Sequence, residues 1–319
     1  MKKLNVLSLF DGMSCGRIAL ERAGIEVNKY YASELDKYAI KVTQANWPNN
    51  IQLGDVTKWR EWDVDWSSID LLIGGSPCQG FSFAGKQLAF DDPRSKLFFV
   101  YVDILNHIKS LNQNVKFLLE NVKMKKEYLN VISEHLGAEP AFINSALVSA
   151  QNRQRYYWAN WGFEQPEDKE VVLGAILEGG VVDRDKSFCI DANYFKGGNI
   201  KAYFEKHRRQ LAFYQPCRAS ERGRRLTVCG TRRDDKRGEI VRGYECATDN
   251  KTSCLTTVQK DNYVCEDYLI RKLTSVECER LQTVPDNYTN HVSNTQRYKM
   301  LGNGWTVDVI AHIFKSLNE

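Results

Sequence analysis

Four short apolar runs, Leu4–Phe10, Tyr30–Ser33, Asp70–Gly74 and Lys116–Glu120, punctuate the first 120 residues. Segments with helical spacing lie between them: Gly16–Ala23, Asp36–Ala45 and Leu97–Ser110. Strands that alternate with helices cannot pair as hairpins, so each helix must cross back over a sheet. The pattern therefore predicts an open, mostly parallel α/β sheet with helices on both faces. It fades after Trp161 and returns near Leu269, where Ser275–Leu281 and Val307–Leu317 read as helices. The intervening stretch is polar and rich in Gly and Arg. The expected organisation is a catalytic domain over 1–165, a second, smaller domain over 166–268, and a segment over 269–319 that rejoins the first.

Charge is uneven along the chain. Lys201 to Arg242 holds 13 Lys/Arg against 5 Asp/Glu, while the whole chain carries a net charge of only +4. A basic block in an otherwise slightly acidic protein suits a polyanionic partner, although a solvated loop would look the same. Nine cysteines occur with no Cys-x-x-Cys, which argues against a disulfide framework or a zinc cage. No apolar stretch approaches the ~20 residues of a membrane span, and Met1-Lys2-Lys3 leads directly into a strand-like run. The expectation is a cytoplasmic protein without a metal.

The turn Phe10-Asp-Gly-Met-Ser-Cys-Gly16 links the first strand to the first helix, and Gly12 there can take a left-handed backbone. Glu34 ends the second strand, where an acid meets a ribose in nucleotide-binding α/β units. Asp55, in Gly54-Asp55-Val56, is placed to accept from an adenine amino group. Each acid is equally readable as a turn or cap residue. No Gly-x-x-x-x-Gly-Lys-Ser/Thr loop occurs, so a nucleoside triphosphate is disfavoured.

The segment Gly74-Gly-Ser-Pro-Cys-Gln-Gly-Phe-Ser82 follows a buried strand. Carboxyl ends of such strands are where α/β sheets place their chemistry, and Pro77 stiffens the approach to the Cys78 thiol. Glu120 ends another apolar strand, where a carboxyl is costly without a task or a partner. In a strand, Gln151, Arg153 and Arg155 would share one face.

These motifs, in this order, resemble the cytosine-5 DNA methyltransferases over nearly the whole chain. The likeness rests on Phe10–Gly16, Glu34, Asp55, Pro77-Cys78, Glu120-Asn121-Val122, Gln151-x-Arg153-x-Arg155, the run from Arg271 to Gln282, and Gly302-Asn303-Gly-Trp305-Thr-Val307. It implies a class I S-adenosylmethionine-dependent methyltransferase, a Rossmann-like sheet with a smaller target-recognition domain. It implies that Cys78, Glu120, Arg153 and Arg155 are catalytic. Phe10, Asp11, Gly12, Met13, Gly16, Glu34, Leu35, Asp55, Val56, Pro77, Asn303, Trp305 and Val307 would bind S-adenosylmethionine. Gln79, Ser82, Arg222, Arg224, Arg225, Arg232, Arg233, Arg237, Thr256 and Thr257 would contact double-stranded DNA. Ser14 and Trp305 depart from the usual bacterial pattern and look more like the animal de novo enzymes.

The implied chemistry is methyl transfer to carbon 5 of a flipped-out cytosine, with the loop from Gln79 to Lys96 as a lid. A monomer is expected, a dimer is left open, and a bacterial or phage source fits. Three alternatives bear on the same residues. A zinc deaminase requires Pro-Cys-x-x-Cys, but position 81 is Phe81. A tRNA cytosine-5 methyltransferase shares the chemistry but not the need for a long basic recognition segment. A catalytically silent DNA-binding relative would be expected to lack Cys78 or Glu120.

Overall fold

The structure, a computed structural model, describes residues 2–77, 96–213, 218–225, 240–247, 263–264 and 270–317. For residues 201–202 and for the strands between 218 and 264 it describes the backbone alone. The chain divides into two compact units. One comprises Met1–Glu178, Arg184–Gln210 and Lys272–Glu319, and the other comprises Gly179–Asp183 and Leu211–Arg271.

The first unit is built on seven strands: β1 (Leu4–Leu9), β2 (Val27–Ser33), β3 (Ile51–Gln52), β4 (Leu71–Gly74), β5 (Lys116–Val122), β6 (Ala141–Asn144) and β7 (Gln154–Ala159). Their order is β3-β2-β1-β4-β5-β7-β6. The first five are parallel, and β7 runs antiparallel to both β5 and β6. Strand order reverses between β1 and β4, which makes their carboxyl ends a topological switch point.

Leu7, Leu9, Leu72, Phe117 and Leu119 alternate along β1, β4 and β5 onto one face. There they pack with α3 (Lys96–Leu111) and α4 (Lys126–Leu136), whose apolar residues recur at helical spacing. The other face meets α1 (Cys15–Arg22), since Gly16 lies against Ile73 and Tyr30. Further along, α2 (Lys37–Asn46) is capped by Asp36, whose side chain accepts from the Tyr38 N–H. The first unit also holds α5 (Ile200–Lys206), α6 (Ser275–Leu281), α7 (Asn294–Asn303) and α8 (Val307–Lys315). No helix among the described residues is long and apolar enough to cross a membrane.

The second unit contains β8 (Leu211–Phe213) and a three-stranded antiparallel sheet of β9 (Arg218–Arg225), β10 (Ile240–Ala247) and β11 (Tyr263–Val264), and β12 (Ile270–Lys272) spans its end in sequence at Arg271. Arg222, Arg224 and Arg225 fall on β9, opposite Gly243, Val241 and Ile240. The unit is narrower than the expected 166–268. Residues 184–210 belong to the first unit, held there by polar contacts such as Lys186 Nζ to the carbonyls of Ala146, Ser149 and Val171.

Candidate active site

The strand ends at the switch point open onto a cleft of about 370 Å³. On one side, the chain leaves β1 with left-handed backbone at Phe10, Gly12 and Ser14 (φ 58°, 59° and 62°). Glycine adopts this conformation freely, but serine does so at a cost of ~1–2 kcal/mol. Ser14 offsets the cost with side-chain hydrogen bonds. Its buried hydroxyl donates to Asp11 Oδ2, lies 3.1 Å from Thr43 Oγ1 and accepts from Asn50 Nδ2 at 3.3 Å. This accounts for a serine where the usual motif has glycine. Tyr30 donates to the other Asp11 oxygen at 2.7 Å. Burial pushes the Asp11 carboxyl up to about 6, against the opposing pull of the Ser14, Ser8 and Tyr30 hydroxyls. Glu34 ties β2 to this turn: its carboxylate accepts from the N–H groups of Gly12, Leu35 and Asp36 at 2.7–2.8 Å.

The facing wall comes from β5, β7 and the segment before α8. Glu120 and Arg155 form an ion pair, Nε to Oε1 at 2.8 Å, and both are largely buried. Trp305 Nε1 donates to the second oxygen, Glu120 Oε2, at 3.1 Å. The indole rests on Gly75, where a Cβ would stand 2.9 Å from Nε1 and 3.0 Å from Glu120 Oε2. Asn121 Nδ2 donates to Ser76 Oγ at 3.3 Å, which joins the end of β5 to the turn after β4. Pro77 lines the cleft as well.

A cleft at this switch point combines an acid at the end of β2 with a buried carboxylate–guanidinium pair, beside a proline that leads to a cysteine. The sequence signature described as "C-5 cytosine-specific DNA methylase" matches residues 4–319. The chain belongs to that family of DNA cytosine-5 methyltransferases. Among relatives of this methylase, the Type II methyltransferase M1.ScrFI of Lactococcus lactis subsp. cremoris is 30% identical, over 99% of this chain and 78% of its own. The Type II methyltransferase M.HpaII of Haemophilus parainfluenzae is 29% identical, over 100% of this chain and 90% of its own. Among solved structures, the Entamoeba histolytica methyltransferase EhMeth superposes with a TM-score of 0.64 at 18% identity, covering 99% of this chain and 98% of that one. At that identity the likeness bears on the fold alone, and it agrees with the expected methyltransferase sheet.

In this methylase the Gln-x-Arg-x-Arg segment does not lie on one strand face. β7 begins only at Gln154. Gln151 is fully buried; it donates to the Leu281 carbonyl and to Gln282 Oε1, and it accepts from the Ile190 N–H. The buried Arg153 guanidinium donates to the carbonyls of Ile190, Gly302 and Gly304. Although Arg153 lines the cleft, these bonds make it a brace for the segment that carries Trp305. Of the two arginines, Arg155 is the one joined to Glu120.

The cleft brings together Phe10, Asp11, Gly12, Met13, Gly16, Glu34, Pro77, Glu120, Arg153, Arg155, Asn303 and Trp305. Four expected cofactor residues are not among its walls. Leu35 is exposed, while Val56 and Val307 are buried. Asp55 caps a short 3-10 turn, accepting from Thr57 N and Oγ1, and those bonds hold its carboxyl below the usual range. Cys78, Gln79, Ser82, Arg232, Arg233, Arg237, Thr256 and Thr257 lie outside the described residues. So does the expected lid, apart from Lys96.

Sequence reasoning passed over Gln282 as a working residue. Its amide donates to the Leu301 and Gly304 carbonyls and its Oε1 accepts from Thr306, so it fixes the Trp305 turn from below. The only signal was its place at the end of the Arg271–Gln282 motif. Tyr30 was legible only as a strand residue, because its bond to Asp11 joins neighbouring strands.

Proposed function

We propose that this methylase moves a methyl group from S-adenosylmethionine to carbon 5 of a flipped-out cytosine in a specific DNA sequence, through a transient bond to Cys78. The observation that carries the proposal is the single cleft shared by Pro77, the Glu120–Arg155 pair, and the Gly12–Glu34 turn. The residues fit the cofactor. Gly12 leaves open space where a Cβ would project, Glu34 offers carboxylate oxygens to ribose hydroxyls, and Trp305 offers an aromatic wall. Bound there, S-adenosylmethionine supplies an electrophilic methyl on a sulfonium.

Carbon 5 of cytosine is too weak a nucleophile to take a methyl group unaided. Cys78, as thiolate, adds to carbon 6 and pushes an electron pair toward carbon 5 and the N3 side of the ring. Glu120 holds N3 and the exocyclic amine, and Arg155 holds the ring O2. After carbon 5 has gained the methyl group, a base removes its proton. The electron pair re-forms the ring double bond and expels Cys78. A base stacked in a duplex cannot reach these groups, so the cytosine must leave the helix. The second unit, with its basic β9, is assigned to target recognition.

Methyl transfer from labelled cofactor to plasmid DNA and to tRNA tests the reading, with Cys78→Ser as control. Transfer to DNA that disappears in the variant supports it. Transfer to tRNA alone overturns the substrate, and full activity of the variant overturns the mechanism.

A further inference from the structure

A small basic pocket lies in the first unit, apart from the cleft. Lys196, Gly198, Asn199, Lys206, Arg208 and Arg209 are among its walls, and it encloses about 120 Å³. Four of these residues are cations and no acid lines the pocket. Other cations nearby are already committed: Lys186 to three backbone carbonyls, and Arg184 to the Phe188 ring at 3.9 Å. Lys196 Nζ lies 5.5 Å from the centroid of the Phe195 ring, and neither Lys196 nor Lys206 has an ion-pair partner among the described residues. Arg208 and Arg209 share one carboxylate, Asp191, at 3.5 and 3.9 Å, which is long for a charged hydrogen bond. Gathering four cations around one acid leaves a local positive excess. Such a cluster repels itself, and a bound anion would relieve the repulsion.

The pocket is joined to the active cleft through Asp191. Gly302, a wall of the cleft, packs so tightly on this residue that a Cβ would meet its carbonyl carbon at 2.2 Å. Arg153, also a wall of the cleft, donates to the carbonyls of Gly302 and of Ile190, the residue before Asp191. The Asp191 backbone therefore backs the cleft while its carboxylate turns toward the basic pocket.

We infer that this pocket holds a backbone phosphate of the DNA strand beside the flipped-out cytosine. The inference rests on the proposed DNA methylation. It extends DNA contact to the catalytic unit, outside the segment assigned to recognition. A nucleotide drawn into the cleft keeps its flanking phosphates at the rim. A basic pocket that is linked to the cleft wall through Asp191 holds one of them and helps to offset the cost of unstacking. Phosphate contacts position a duplex without reading its sequence.

The test uses the full chain and a fluorescein-labelled duplex carrying the methylated site, with a mismatched duplex in parallel. Lys196→Gln, Lys206→Gln, their combination, and the combination with Arg208→Gln are titrated across a salt series. The expected result is weaker binding by the same factor on both duplexes. The dependence of log affinity on log salt should flatten by about 0.9 for the one phosphate lost. Arg208→Gln also removes an Asp191 contact. The lysine variants do not, and their calorimetric affinity for S-adenosylmethionine verifies that the cleft is intact. Unchanged affinity and slope in the double lysine variant overturn the inference. A loss confined to one sequence, or one seen with tRNA and not with DNA, does the same. A wild-type chain that fails to methylate DNA sinks the underlying reading instead.

Discussion

The indole N–H of Trp305 donates to Glu120 Oε2 across 3.1 Å, while Arg155 meets the opposite oxygen at 2.8 Å. The residue proposed to wall the cofactor side thus helps to aim the carboxylate proposed to hold the base. Trp305→Phe keeps an aromatic wall and removes only the donor. A hydrogen bond to a charged group contributes ~1.5–3 kcal/mol, so kcat should fall about tenfold or more. The KM for S-adenosylmethionine should move little. A variant with unchanged kcat, or one that changes only that KM, would mean the indole acts on the cofactor alone.

Two cysteines are close in sequence to walls of the cleft, Cys15 and Cys78, and Cys78 is the one proposed to attack. Cys15 is buried beneath it, and burial pushes its thiol up to about 12, so its thiolate is scarce near neutral pH. Cys78 follows Pro77 in sequence, and Pro77 lines the cleft. Cys78→Ser should abolish both turnover and covalent trapping on DNA containing 5-fluorocytosine. Cys15→Ala should trap normally, at some loss of stability. Trapping through Cys15, seen by mass spectrometry of the adduct, would reverse the assignment.

Much of this site was legible in the sequence, for a physical reason. The buried runs that lead to Glu34, Pro77 and Glu120 (Tyr30–Ala32 in β2, Leu71–Ile73 in β4 and Phe117–Leu119 in β5) are continuously apolar, and their ends are easy to read. The helix Ser275–Leu281 was equally plain. Thr274 and Glu277 form a capping box at its start, and that signal is local. What stayed hidden depends on contacts distant in sequence. The α7 helix buries Arg297 against Glu279 alongside Tyr298, Met300 and Leu301, so a charge interrupts its apolar face and mutes its periodicity. Gln151 and Arg153 read as strand residues, yet their bonds run to Leu281, Gln282, Gly302 and Gly304, more than a hundred residues away. Residues 184–210 look like a separate polar segment because bonds to residues distant in sequence join them to the first unit: Lys186 donates to the Val171 carbonyl, and the Tyr194 hydroxyl accepts from the Leu273 N–H.

Asp11 should give stability a distinct pH dependence. Its folded value of about 6 lies above the ordinary 3.8, so the folded chain binds this proton more tightly than the unfolded chain does. Stability from this group is fully present below about pH 4 and is lost as pH rises through about 6, by on the order of 3 kcal/mol. In Asp11→Asn that fall should vanish from chemical denaturation curves taken across the window. An unchanged slope in the variant would show that Asp11 does not titrate there.

Gly302 has no room for a side chain. A Cβ would stand 2.2 Å from the Asp191 carbonyl carbon and 2.4 Å from the Ala192 nitrogen, and backbone cannot swing aside as a flexible side chain can. Overpacking of this kind costs ~1–3 kcal/mol, and sometimes more. Gly302→Ala should lower the Tm and disturb the Arg153 brace, weakening S-adenosylmethionine binding through Asn303 and Trp305. Wild-type melting together with wild-type cofactor affinity would show that the two backbones are not packed as described.

The last prediction concerns where DNA sequence is read. The second compact unit, Gly179–Asp183 with Leu211–Arg271, includes the antiparallel sheet whose β9 carries Arg218, Arg222, Arg224 and Arg225. The proposed catalytic residues and every wall of the cleft belong to the other unit. Chemistry and recognition should therefore be separable. Moving residues 211–271 onto a family member of known, different specificity should give an active chimera with this chain's target site, read by methylation-sensitive sequencing of host plasmid. Within the grafted segment, an arginine that contacts only phosphate should weaken all duplexes alike when replaced. One that forks onto a guanine should relax a single position and cost about 1–3 kcal/mol of discrimination. An active chimera that keeps the recipient's site would place recognition outside these residues. The next graft would then begin at Pro166, to include the 184–210 segment with its basic pocket.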